Sequence, residues 1–231
     1  MTAETWKTGT GGSPSIRDFY RFKQLPGAYC HPDQIRALLP DGLPSSLRDR
    51  LLQSKRLRPR LSCLLSDRFA LEACSKDDLK SPISRFAMRE GEALREAILG
   101  IGAIHHGQTL RRIILAEQLR QLIGHIGRGN YQRALASIDL AADQLDEPKD
   151  IDGNLDIQAL TVLIERDGLL AIKAWCPHQP EALAKRLLLK LPPGDHDPGK
   201  PAARHLEQSL LIVDRVAFAL MDQSPSSELG L

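Results

Sequence analysis

The sequence predicts a mainly α protein, a single irregular helical-bundle domain, and three observations point that way. Aromatic residues make up only 4% of the 231 residues, so the core must be built from Leu, Ile and Ala, a composition that suits helices better than sheets. Apolar side chains recur at helical spacing through long segments, as in Ile83, Phe86, Ala87, Leu94, Ala97, Ile98 and Ile101. Helix punctuation also falls at the ends of those segments, with Ser81-Pro82 at a start and Glu147-Pro148 and Pro177 at stops.

Taken in order, Met1–Ser15 is rich in Thr, Gly and Ser without periodicity and reads as a disordered arm. Gly9–Gly12 is not a phosphate loop, because Ser13-Pro14 follows where a Lys-Ser/Thr pair is needed. His31–Leu39 fits a short helix, and Pro44-Ser45-Ser46 starts another carrying Leu47, Leu51 and Leu52. Serine at the cap and proline at the first helical position start a helix over Pro82–His105. A second runs from about Gln108 to Ile126, then Gly127, Gly129 and Asn130 supply a turn. Tyr131, Leu135, Ile138, Ala142 and Leu145 trace a third, and these three form a central bundle.

After the turn-rich Asp150–Asn154, Leu155–Trp175 is helical in pattern with an interruption at Asp167-Gly168, and Pro177 ends it. Glu181–Leu191 reads two ways: a helix over Ala182–Leu189, or a short β element near 186–191 before Pro192-Pro193. Gly194–Pro201 is a polar linker, and Leu206, Leu210, Val213, Ala217 and Leu220 mark a last helix. The expected organisation is an arm at 1–15, a helical domain at 16–222 and a disordered tail at 223–231, with no internal repeat.

Composition narrows the function classes. Thirty-one basic residues against 29 acidic ones leave a formal net charge of +2, too small for a protein dominated by nucleic-acid or anionic-membrane binding. Cys30, Cys63, Cys74 and Cys176 are far apart and follow no signal-peptide-like segment, so reduced cytoplasmic thiols are expected. The longest apolar runs, Ile113–Ala116 and Leu187–Leu189 among them, fall far short of the roughly 20 residues that cross a bilayer. No direct membrane insertion is expected.

No catalytic constellation stands out. A nucleophile elbow of the G-x-S-x-G kind is missing, and the carboxylate pairs Asp77-Asp78 and Asp146-Glu147 lie at helix boundaries, where they serve as caps or dipole partners. Cys30-His31, His105-His106 and Cys176-x-His178 lack the paired close spacing of a zinc set, and adjacent helical histidines point about 100° apart. His105 and His106 fit a helix end instead, and no metal or other cofactor is expected. Arg48, Arg50, Lys55, Arg56, Arg58 and Arg60 face only Asp49 in their own segment, a basic surface that could contact phosphates or an acidic protein. Without an interleaved aromatic residue to stack a base, a solvated face is preferred over nucleic-acid binding.

The central segment is the most informative. Arg111 and Arg112 have no carboxylate at the positions three and four residues away, so neither forms an ordinary helix-surface ion pair. If Gly107 ends one helix and Thr109 caps the next, both cations also sit in an unfavourable first turn. His106, Arg111 and Arg112 form a candidate cluster, and of the two readings for Arg111 and Arg112, pairing with buried acids inside the fold is slightly preferred over contact with a partner.

Ile104-His105-His106-Gly107-Gln108-Thr109-Leu110-Arg111-Arg112, with Leu115 and Leu119-Arg120-Gln121-Leu122 after it, resembles the His-Gly-x-x-x-Arg-Arg core of the SctK/YscK family, cytoplasmic accessory proteins of type III secretion systems. Ala182-Leu183-Ala184-Lys185-Arg186-Leu187-Leu188-Leu189-Lys190-Leu191-Pro192 resembles that family's Lys-Arg-Leu-x-Leu-Arg-Leu-Pro block, with Lys190 in place of its arginine. Pro26-Gly27-Ala28-Tyr29-Cys30-His31 is similar to its Pro-Ala-Tyr-x-His segment. The resemblance implies a mostly helical, non-enzymatic adaptor of the cytoplasmic sorting platform, peripheral to the inner membrane through the secretion apparatus. Its implied partners are an SctD-like inner-membrane ring protein and an SctQ-like pod protein, with no small-molecule substrate. The alternative is a helical nucleic-acid-binding or regulatory module using the 48–60 segment.

Overall fold

The computed structural model describes residues 16–40, 42–75, 82–89, 91–142, 145, 148–149, 154–193 and 203–222. The expected arms at 1–15 and 223–231, Ser81, the carboxylate pairs Asp77-Asp78 and Asp146-Glu147, the Gly194–Pro201 linker and most of Asp150–Asn154 lie outside these. Among the described residues there are twelve α-helices: α1 (Ile16–Gln24), α2 (Pro32–Arg36), α3 (Ser45–Gln53), α4 (Arg58–Arg68), α5 (Pro82–Met88), α6 (Gly91–His105), α7 (Gly107–Arg111), α8 (Ala116–Ile126), α9 (Arg128–Ala136), α10 (Ile157–Trp175), α11 (Glu181–Lys190) and α12 (Ala203–Asp222). No strand occurs among them; Lys149 and Leu155 form one isolated antiparallel bridge. The protein is mainly α, as its composition indicates.

Helix α6 is the centre. Leu94, Ala97, Ile98, Ile101, Ala103, Ile104 and His105 are all buried, together with Gly100 and Gly102, and its second half, with buried residues on nearly every side, has to be enclosed by other helices. It packs most extensively against α10 and then α9, with α12 beside both α6 and α10. The two closest contacts are made by glycines. A Cβ on Gly102 would lie 1.9 Å from the Ile164 carbonyl oxygen, and one on Gly168 would lie 2.1 Å from that of Ile98. Any side chain at either position would occupy the backbone of the other helix, so α6 and α10 touch main chain to main chain. On a second face, a Cβ on Gly100 would lie 2.8 Å from Asn130 Oδ1. The room left there admits Asn130 of α9, whose amide donates to the Glu96 and Ile126 carbonyls at 3.1 and 2.8 Å and accepts from Arg133 at 2.6 Å.

Several expected boundaries move, each for a local reason. The helix expected over Pro82–His105 breaks after Met88, because the Arg89 carbonyl turns to accept the Lys190 ammonium at 2.7 Å and Gly91 restarts the chain as α6. The helix expected over Gln108–Ile126 is two: Gly107 begins α7 rather than ending a helix, Thr109 lies inside it, and the chain leaves helical geometry at the β-branched Ile113-Ile114. Gly129 and Asn130 are helical, and Gly127 alone makes the corner between α8 and α9 at φ +84°. The third helix stops at Ala136, followed by a 3-10 turn at Ile138–Leu140. Asp167-Gly168 does not interrupt α10, which runs unbroken to Trp175, because the packing against α6 offsets the poor intrinsic propensity of glycine.

The short β element near 186–191 is corrected to helix: α11 continues through Lys190, with Ala182, Leu183, Ala184, Arg186 and Leu187 all buried. Its Ala, Leu, Lys and Arg content favours helix on intrinsic grounds. Prolines 192 and 193 then remove the amide donors that the last turn needs. The N-terminal segment supplies replacements, since His31 N–H donates to the Leu189 carbonyl at 2.8 Å and Gln34 Nε2 to that of Leu191 at 3.3 Å.

Two apolar clusters result. The larger runs from Phe19 and Phe22 through α5, α6, α8, α10 and α11 to Val216 and Ala217; Trp175, buried within it against Phe86, donates its indole N–H to Asp214 of α12 at 2.7 Å. The smaller comprises Cys30, Ile35, Leu61, Leu65 and Leu189. Leu189 comes from α11, so this one helix serves both clusters and joins α2–α4 to the bundle.

Replacing Gly102 or Gly168 by alanine is expected to cost about 3 kcal/mol or more of unfolding free energy, because the added methyl meets backbone. Gly124→Ala, in α8 where a Cβ meets nothing within 4 Å, should instead stabilise by about 0.5–1 kcal/mol. Urea denaturation of the three variants measures both, and a Gly102→Ala protein as stable as the parent would contradict the backbone contact.

Candidate functional site

The residues singled out at the centre of the sequence divide between core and surface. His106, 3% exposed, follows the last residue of α6 and places its Nε2 2.8 Å from Asp167 Oδ2 of α10. Of the two histidines expected at a helix end, His105 closes α6, and His106 follows it at the first position before α7 with no side-chain capping bond. Asp167 also accepts from Arg166 Nε at 2.9 Å. Burial pushes its carboxyl up, but the His106 bond and the Arg166 guanidinium outweigh that, holding it below the usual carboxylate value. This half-buried acid pairs with His106.

Arg111 and Arg112 are exposed at the end of α7. Immediately after them Ile113 is buried, whereas Ile114 is 91% and Leu115 62% exposed. This surface apolar pair was not separable from a helix face by periodicity alone. Its available signal was the apolar run Ile113–Ala116 standing directly after two arginines without local carboxylates. Asp167 was likewise hidden, because beside Gly168 it reads as a break.

The two outer motifs, more than 150 residues apart, meet in space. Phe22 stacks on Tyr29 with ring centroids 5.3 Å apart, and the Lys190 ammonium lies 4.8 Å from the Tyr29 centroid and 5.5 Å from that of Phe22. Arg186, 2% exposed, donates to the Ala182 and Lys23 carbonyls at 2.9 and 3.4 Å and lies 5.9 Å from the Phe22 centroid. Among the described residues no carboxylate pairs with it, and its Nε has no hydrogen-bond partner. The aromatic faces and carbonyl dipoles meet this buried cation instead. Burial raises the Tyr29 hydroxyl well above its ordinary value against the opposing charge of Arg186, and that hydroxyl donates to the Phe22 carbonyl at 3.0 Å. The constellation joins chain segments.

The basic segment spreads over α3, its connection to α4 and the start of α4. Arg50, Lys55, Arg56 and Arg60 are exposed, while Arg48 and Arg58 are half-buried, and Arg48 donates to the Pro40 carbonyl at 3.2 Å. Asp49 is shared with Arg36 at 3.6 Å. Cys30, Cys74 and Cys176 are buried and Cys63 exposed, all as free thiols; burial pushes the Cys30 and Cys176 thiols up to about 12, away from the reactive thiolate. No group of three or more metal-ligating side chains is assembled among the described residues. No described helix is long and apolar enough to cross a membrane.

A carboxyl held low in the folded state adds stability above its unfolded value, near 4, and loses it as pH falls through the lower folded value. Asp167→Asn should therefore cost about 1–3 kcal/mol at neutral pH and show a shallower loss of stability than the parent on acidification below about pH 4. Denaturation at several pH values measures the difference, and parallel acid limbs would contradict the role given to Asp167.

Residues 18–213 match the family described as YOP proteins translocation protein K (YscK). The chain is 25% identical over 181 residues to "Yop proteins translocation protein K" of Yersinia pseudotuberculosis serotype I, covering 75% of this chain and 78% of that one; the protein of the same name in Yersinia enterocolitica matches to the same extent. It is 27% identical over 168 residues, 72% of each chain, to "Nodulation protein NolU" of Rhizobium fredii. A search of solved structures gave no match. The family match spans nearly every described helix and includes all three motifs, so the chain belongs to the YscK family of type III secretion proteins.

Proposed function

We propose that the protein is a non-enzymatic adaptor of the sorting platform, held on the cytoplasmic side of the inner membrane and joining an SctD-like ring protein to an SctQ-like pod protein. The observation that carries this reading is the family match over residues 18–213. It extends across nearly all of the bundle rather than a single motif. The proposed adaptor body is residues 16–222. The chemistry-bearing groups support the same reading, because they are engaged within the fold: His106 with Asp167, Trp175 with Asp214, and Arg186 and Lys190 with the Phe22–Tyr29 stack.

The test is quantitative pull-down of the tagged full-length chain from cells with an assembled secretion apparatus. Both the ring and the pod component should be enriched over an unrelated tagged control. Enrichment of neither would sink the proposal.

A further inference from the structure

The segment Arg111–Leu115 combines features that the rest of the surface keeps apart. Ile114 is the most exposed large apolar side chain among the described residues, at 91%, and Leu115 stands beside it at 62%. Their exposure is built in. Leu110 and Ile113, on the same short stretch, are buried at 0% and 8%, so the chain is pinned to the core on one side of the pair. Backbone bonds fix the turn: Arg112 N–H donates to the Thr109 carbonyl at 3.1 Å, Ile113 N–H to that of Leu110 at 3.3 Å, and Leu119 N–H to that of Leu115 at 3.0 Å. Two apolar side chains are thus held in water in a set conformation, which reduces the ordering cost of burying them against something else.

The charge beside them selects what that something is. Arg111 is exposed, and the nearest described carboxylate after it in sequence, Glu117, accepts from Arg120 at 2.7 Å and Gln121 at 3.4 Å. An apolar anchor with the Arg111 guanidinium at its edge has the anatomy of an interface hot spot, with a dry centre and a polar rim.

We infer that Arg111–Leu115 is a preformed knuckle that docks into an apolar groove rimmed by carboxylates on a protein of the apparatus. This rests on the adaptor reading and deepens it by naming the surface and the chemistry of its partner. A nucleic acid offers the charge but no groove for Ile114 and Leu115, and a second copy of the chain would set like charges against each other.

The experiment measures binding of the full-length chain to two purified probes, the cytoplasmic domain of the ring protein and the pod protein of the same apparatus. Variants are Ile114→Ser and Arg111→Glu, with Val162→Ser as control, since Val162 is an equally apolar, 64% exposed residue on α10. Circular dichroism and melting curves check that each is folded. Ile114→Ser and Arg111→Glu should each weaken binding to one probe by about tenfold or more, with Val162→Ser changing it by less than about twofold. Raising salt should weaken the parent more than Arg111→Glu. If the parent binds and both variants bind as tightly, the knuckle is wrong while the adaptor reading stands. If the folded parent binds neither probe, the adaptor reading fails and takes the knuckle with it. Self-association or a DNA mobility shift that Ile114→Ser abolishes, with probe binding unchanged, also overturns the inference.

Discussion

The fold turns on one contact, the crossing of α6 and α10 at Gly102 and Gly168. At 1.9 and 2.1 Å from a would-be Cβ to the opposing carbonyl oxygen, the two backbones leave no room for a side chain at either glycine. Several features depend on that approach. It brings Asp167 within hydrogen-bond reach of His106, one turn beyond Gly102, and on the outer side lets Arg95 fork onto Glu165 with bonds of 3.0 and 3.3 Å. The bidentate pair is exposed and contributes little by itself; it marks the rotation of one helix against the other. The same helix admits Asn130 of α9 opposite Gly100. A sequence of small residues on α6 thus sets the placement of both of its main neighbours.

A second dependency runs through α11. The Pro192-Pro193 pair strips its last turn of amide donors, and the segment around His31 and Gln34 supplies them. Arg186 and Lys190 then lie against Phe22 and Tyr29, so two motifs at opposite ends of the chain form one junction. Together they close the chain on itself. A buried guanidinium without a carboxylate is costly unless carbonyls and ring faces surround it, which is why these residue types travel together. The central motif differs, because it ends in a surface turn once its histidine has been used inside.

Much of this was readable from the residues. Leu, Ile and Ala at helical spacing and the Pro and Gly punctuation place α10 and α12 within a few residues, and the ends but not the starts of α6 and α8. What they could not supply was the partner of each group. Asp167-Gly168 looks like an interruption because the energy that keeps it helical comes from α6, about 65 residues earlier in sequence. Glu181–Leu191 stayed ambiguous for a related reason, since its helical form is completed by donors from His31 and Gln34. Ile113 and Ile114 share residue type and neighbourhood, yet one is buried and the other stands in water; only the packing of α7 and α8 separates them. Arg111 and Arg112 stand out in sequence by the lack of carboxylates at helical spacing, whereas the exposure of Ile114 beside them comes only with the fold.

A closely packed α6–α10 core supporting an outward turn fits the proposed adaptor, because a docking element can transmit position only if its base does not yield. Native-state hydrogen exchange tests that core most directly. The account predicts that amides of residues 98–105 and 164–172 exchange only through global unfolding, with the same free energy in both helices. Exchange of either set through local opening, at a free energy well below the global value, would contradict it.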